Sequence, residues 1–142
     1  MVERYLGRHR EKFYAVLRIA AGLMFMQHGM QKLFGVMGGE VQTGNTLMLA
    51  AGAIELIGGF LIAVGLFTVW AALLSFVEMM FAYFMVHAPQ APWPVENRGE
   101  LALLYGLVFL YVASHGSGVW SVDAMRRRGP AAVTQIRPRR VA

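Results

Sequence analysis

Between Leu47 and His87 the chain carries no charge except Glu55 and Glu78. As a helix rising 1.5 Å per residue, a stretch of that length runs roughly 60 Å, too long for one crossing of a hydrocarbon core and enough for two. The chain must therefore turn inside this run, and Gly65-Leu66-Phe67-Thr68 is the segment best suited to a tight turn. With 57% hydrophobic and 15% charged residues, against about 45–50% and about 25% in soluble domains, the whole chain falls in the same class. Disorder is excluded by so many apolar residues. The absence of cysteine excludes disulfide scaffolds, zinc ribbons, iron–sulfur proteins and thiol relays. At 142 residues the chain is too short for two domains.

The expected fold is all-α, an integral membrane four-helix bundle. Its helices are expected at about 13–37, 47–66, 69–87 and 100–115, within a transmembrane domain of residues 13–125. A basic segment, 1–12, precedes it and a basic tail, 126–142, follows. The first apolar run has the basic start of a signal peptide. However, Arg18 interrupts it, it lacks a small-residue cleavage site and it leads into further spans, so it is expected to be retained.

Orientation follows from lysine and arginine placement. The amino-terminal segment holds Arg4, Arg8, Arg10 and Lys12, and the tail holds Arg126, Arg127, Arg128, Arg137, Arg139 and Arg140. The loop before Leu47 has no basic residue, and the loop from Ala88 to Gly99 has only Arg98. Both termini are therefore expected in the cytoplasm. The Arg/Pro-rich tail reads as a topology signal with affinity for anionic lipid, and no nucleic-acid partner is expected.

An ionisable residue inside a span marks a function or a buried polar network. His28, Glu55 and Glu78, on three different helices, each fall roughly 12–13 Å below the outer end of their span. Lys32 shares the face of His28 one turn higher, and His87 and Glu100 sit above, at the outer mouth. The inner half holds little beyond Arg18. On the first helix Arg18, Gly22, Phe25, Gly29 and Lys32 form a seam, and Ala51, Gly52, Glu55 and Gly59 share one side of the second. The third carries Ala71, Ser75, Glu78, Ala82 and Met85 on one side. Small residues allow helices to approach closely in lipid, so these stripes are expected to face one another.

Two readings of this layer stand side by side. It can be a structural lock in which Lys32 or His28 pairs with Glu55 or Glu78. It can also be a polar pocket that handles protons, a quinone head group or another small ligand. A metal held by His28, Glu55 and Glu78 is chemically sensible, but no spacing motif supports it, and no metal is expected. A haem between histidines suits neither His87, at the rim, nor His115, on the opposite side. The methionine clusters read as flexible apolar filler rather than copper ligands. No Gly-rich phosphate loop and no nucleophile–His–acid arrangement occurs, which leaves catalytic activity open.

The run Arg18-Ile19-Ala20-Ala21-Gly22-Leu23-Met24-Phe25, then His28-Gly29 and Gln31-Lys32-Leu33-Phe34-Gly35, resembles the opening of the DoxX family of small four-helix membrane proteins. Glu55-Leu56-Ile57-Gly58-Gly59-Phe60-Leu61 and Gly65-Leu66-Phe67-Thr68 resemble its second helix and turn. His87-Ala88-Pro89, Gly99-Glu100-Leu101-Ala102-Leu103-Leu104-Tyr105 and the closing Gly116-Ser117-Gly118-Val119-Trp120-Ser121-Val122-Asp123 are similar to later parts. Where many relatives carry an arginine after the threonine of the second turn, this chain has Val69.

The resemblance implies a bacterial-type inner-membrane protein linked to a quinone-dependent redox system. Its implied ligand is a quinone and its implied partner a soluble or membrane oxidoreductase. Arg18, His28, Lys32, Glu55, His87 and Glu100 are the polar positions that match the family's motifs; Glu78 enters from the depth argument alone. A non-catalytic assembly protein is the alternative. A proton or small-solute transporter is a third reading, and needs a homo-oligomer.

Overall fold

The computed structural model describes residues 1–127, and every described element is helical. Helix α1 runs Val2–Phe34, α2 Thr46–Val64, α3 Thr68–Ala82, α4 Glu100–His115 and α5 Val122–Arg127. Beyond Ala82 the third helix continues as a π-helical stretch, Tyr83–His87, closed by the Ala88 N–H bonded to the Tyr83 carbonyl at 2.8 Å. Two helical segments, Thr46–Val64 and Thr68–His87, are long and apolar enough to cross a membrane; Glu100–His115 is apolar but shorter.

The ends are set by local chemistry. Asn45 starts α2 by accepting from the Leu47 and Met48 N–H groups at 3.1 and 3.2 Å, as an N-cap residue does. Gly65, at φ 73°, stops it in the left-handed region that glycine enters without strain. The short turn that follows sends α3 back, as the sequence leads one to expect. Two differences stand out. Helix α1 begins at Val2, not near residue 13, because Glu, Arg and Lys between them are good helix formers and nothing breaks the chain before the apolar run. It also ends at Phe34, since Gly35 adopts φ 65° and caps it. Residues 128–142, with Arg128, Arg137, Arg139 and Arg140 of the basic tail, lie outside the described residues.

Helix α1 packs antiparallel on α2, and α3 on α4, while α2 and α3 meet more loosely. Glycine makes the first pairing close. A Cβ at Gly22 would lie 2.7 Å from the Gly59 carbonyl oxygen, and one at Gly59 would lie 2.6 Å from the Met26 nitrogen. The core between the helix pairs is aromatic, with Phe25, Tyr105 and Phe109 in mutual contact and Phe25–Phe109 centroids 4.6 Å apart. All five residues of the expected α1 seam are buried or half-buried, with Arg18 and Phe25 fully inside.

Candidate functional site

The polar layer forms where α1, α2 and α3 meet. Lys32 reaches across from α1, and its Nζ lies 2.6 Å from Glu55 Oε1 on α2. Glu55 is 3% exposed, and its second carboxylate oxygen has no partner. Glu78, on α3, is within electrostatic reach of both Lys32 and Glu55, and one of its oxygens is likewise buried without a partner. His28 sits beside the pair, its ring edge-on to Tyr105 with centroids 5.9 Å apart. Glu55 is the central residue of α2 and Glu78 lies near the middle of Thr68–His87.

Between α2 and α3 a cavity of about 530 Å³ opens above this layer. Lys32 and Glu78 contribute its polar groups at the level of the ion pair, and His87 lines its far end. Its walls are Ala51, Ile54, Leu74, Val77 and Phe81, so a ligand there would meet hydrocarbon almost everywhere else. His87 Nδ1 lies 3.0 Å from the Asn97 carbonyl. A carbonyl only accepts, so in that contact Nδ1 is the donor. The loop behind it is pinned by the buried Asn97, which donates to the Ala91 carbonyl at 2.9 Å and accepts from the Gly99 N–H at 2.8 Å.

Glu100 does not join this group. It is exposed in the first turn of α4, where a carboxylate suits the positive end of a helix. Among the described residues no three His, Asp or Glu side chains converge as a metal ion would need.

The opposite end holds a second polar cluster. Arg18 is fully buried and its guanidinium donates to the carbonyls of Ile62, Ala63 (2.7 Å) and Trp120 (2.8 Å), with Val119 at 3.5 Å. Two of these belong to the last turn of α2, whose carbonyls have no partner inside the helix and carry its partial negative charge. Asp123, on α5, accepts from the Phe67 and Thr68 N–H groups and the Thr68 hydroxyl at 3.0–3.1 Å, capping α3. Desolvation pushes the Asp123 carboxyl up, but the hydrogen bonds from Thr68 and Phe67, with the Arg127 charge, hold it below the usual carboxylate range. Tyr14 adds hydrogen bonds to the carbonyls of Gly116 and Val112. Asp123, Tyr14 and Asn97 were not expected as structural anchors; all three act on backbone groups, which hydropathy patterns do not register.

The DoxX family model matches residues 13–88, which hold His28, Lys32, Glu55, Glu78 and His87. The chain belongs to the DoxX family. A protein of Haemophilus influenzae, described as uncharacterized, is similar at 41% identity over 125 residues, covering 83% of this chain and 93% of the relative. No solved structure matches the chain. The family match ends at Ala88, so it spans the Lys32–Glu55 pair and the whole α2–α3 cavity, while α4 and the Asp123 cap lie beyond it.

Proposed function

We propose that this DoxX-family chain crosses a bacterial inner membrane four times with both termini cytoplasmic. Its α2–α3 cavity takes the head group of a quinone within a membrane redox system, alongside a soluble or membrane oxidoreductase. The observation that carries this reading is the cavity itself: apolar walls with Lys32 and the unpartnered Glu78 oxygen at one end. A quinone oxygen can accept from a protonated Glu78 or from Lys32, and the reduced hydroxyl can donate to either carboxylate. Topology is supported by position: Arg4, Arg8, Arg10, Lys12, Arg126 and Arg127 gather at the Arg18 end, where basic residues face the cytoplasm.

The test is a melting measurement on protein in lipid nanodiscs, with and without a short-chain quinone. Ligand at about a hundred times its Kd adds about 2.7 kcal/mol of stability, which should raise Tm in the native chain and much less in Glu78→Leu. An unchanged Tm at saturating quinone, or an equal rise in both proteins, sinks the reading. One observation favours a second reading, the structural lock: the Lys32–Glu55 pair is already closed at 2.6 Å. On that reading no quinone binds, and Glu55→Gln lowers stability without other effect.

A further inference from the structure

Helix α1 has a second seam, on the side turned away from α2 and α4. Along the span it comprises Val16, Ala20, Leu23, Gln27, Met30 and Phe34, alternating by four and three residues. Continued toward the amino terminus with the same alternation, it takes in Phe13, His9, Leu6 and Val2. That is the heptad spacing of a coiled coil, with Leu6, Phe13, Ala20, Gln27 and Phe34 at a positions. Most of it is uncovered: Phe13, Val16, Leu23 and Phe34 are between 43% and 59% exposed, and Ala20 and Gln27 are exposed too.

Gln27 is the anomaly on this face. It lies between Gly22 and Gly29, whose contacts are Gly59–Ala63 and Gly52–Leu56, which places it level with the middle of α2. On the four-span topology proposed above, on which this inference rests, its amide faces hydrocarbon. The neighbouring Gln31 amide donates to the Met37 carbonyl at 3.0 Å, whereas the Gln27 amide has no such partner among the described residues. An unsatisfied amide at this depth is costly, and transmembrane helices relieve it by hydrogen bonding to one another. At the other end the first turns of α1 project past the level of Tyr14, where the chain doubles back at Gly116, with Val2 at 70% and Leu6 at 47% exposure. A heptad seam therefore continues out of the apolar span into water with nothing against it.

We propose that this seam is where two copies of the chain pair, α1 against α1, as a parallel two-stranded coiled coil about a two-fold axis along the membrane normal. Copies inserted with the same orientation can bring α1 helices together only in parallel, and a two-fold axis then sets each residue opposite itself. The amide fits this geometry because it both donates and accepts, so Gln27 of one copy satisfies Gln27 of the other. A polar residue at a single a position is the device that fixes register and strand number in parallel dimers. Burial of Leu6 and Phe13 extends the pairing beyond the bilayer. The pairing does not depend on what occupies the α2–α3 cavity.

The absence of cysteine makes the test clean. Single variants Ala20→Cys, Leu23→Cys and Gln27→Cys are oxidised mildly in native membranes beside Leu107→Cys, which is 63% exposed on α4. Disulfide-linked dimers should form readily at all three seam positions and hardly at all at 107, since the bond requires Cβ atoms about 3.5–4.5 Å apart. Light scattering of the native chain in mild detergent should give the mass of two copies. Gln27→Leu should lower the dimer fraction several-fold while leaving the Tm of the single chain unchanged. Seam variants that crosslink no better than Leu107→Cys, or that crosslink to a different protein, overturn the proposal. A mass of one copy at every concentration does the same.

Discussion

Lys32 and Arg18 lie on one face of α1, yet the fold stabilises them by different means. Lys32 is held by a carboxylate at 2.6 Å, Arg18 by backbone carbonyls of two segments. Removing one member of a buried pair leaves the other uncompensated, which costs about 3–5 kcal/mol, whereas replacing both with apolar groups is often neutral. Lys32 is 28% exposed, so the low end applies: Glu55→Leu should lose about 3 kcal/mol in denaturant unfolding. The Lys32→Met/Glu55→Leu double variant should recover most of that loss. Asp123 makes a pH prediction. Its carboxyl is held low in the folded chain, so its contribution is fully present above the ordinary carboxylate range and disappears as pH falls through the lowered value. Asp123→Asn, whose NH2 cannot accept, should therefore lose stability at neutral pH, by about 1 kcal/mol for a lost hydrogen bond. Below that window native and variant Tm values should converge.

At the scale of elements, the α1–α2 pair depends on glycine rather than on large apolar side chains. A methyl at Gly59 would lie 2.6 Å from both the Gly22 carbonyl oxygen and the Met26 nitrogen, backbone atoms that cannot turn aside. Gly59→Ala should force the helices apart and cost about 1–3 kcal/mol, the range for overpacking. Gly38→Ala, with open space around it but φ 75°, should show only the smaller strain of a left-handed residue. Much of this pairing was legible, because Gly22, Gly29, Gly52 and Gly59 repeat at helical spacing on the faces that meet. The Lys32–Glu55 contact was legible as one of several pairings, since depth restricts partners without choosing among them. The start of α1 was not, because hydropathy falls at Lys12 while helix propensity does not. Nor was the π-helical stretch: its extra residue per turn rotates Met85 and His87 relative to an α-helical count. That rotation is one reason the expected Glu78–Ala82–Met85 side of α3 lies only partly inward. Glu100 is exposed in the first turn of α4, and sequence depth cannot tell the bundle side of a first helical turn from its outer side.

At the scale of the whole molecule, the arrangement of charge makes a direct topology prediction. Single cysteines replacing Arg8 and Val95, both exposed, should react from opposite sides of intact cells with a membrane-impermeant maleimide. Position 95 should label from outside and position 8 only after permeabilisation; labelling of both from one side contradicts the four-span topology. The Arg18 cluster also has a meaning in time. Its guanidinium needs Ile62 and Ala63, and then Val119 and Trp120, which leave the ribosome roughly a hundred residues after Arg18 itself. Until then a cation waits in a nascent first helix without its final partners. A chain cut short before Val119 should thus persist as an incomplete assembly open to membrane quality-control proteolysis. Burial of that charge thus waits on the segment that follows α4, which serves as a checkpoint on the first helix to be made.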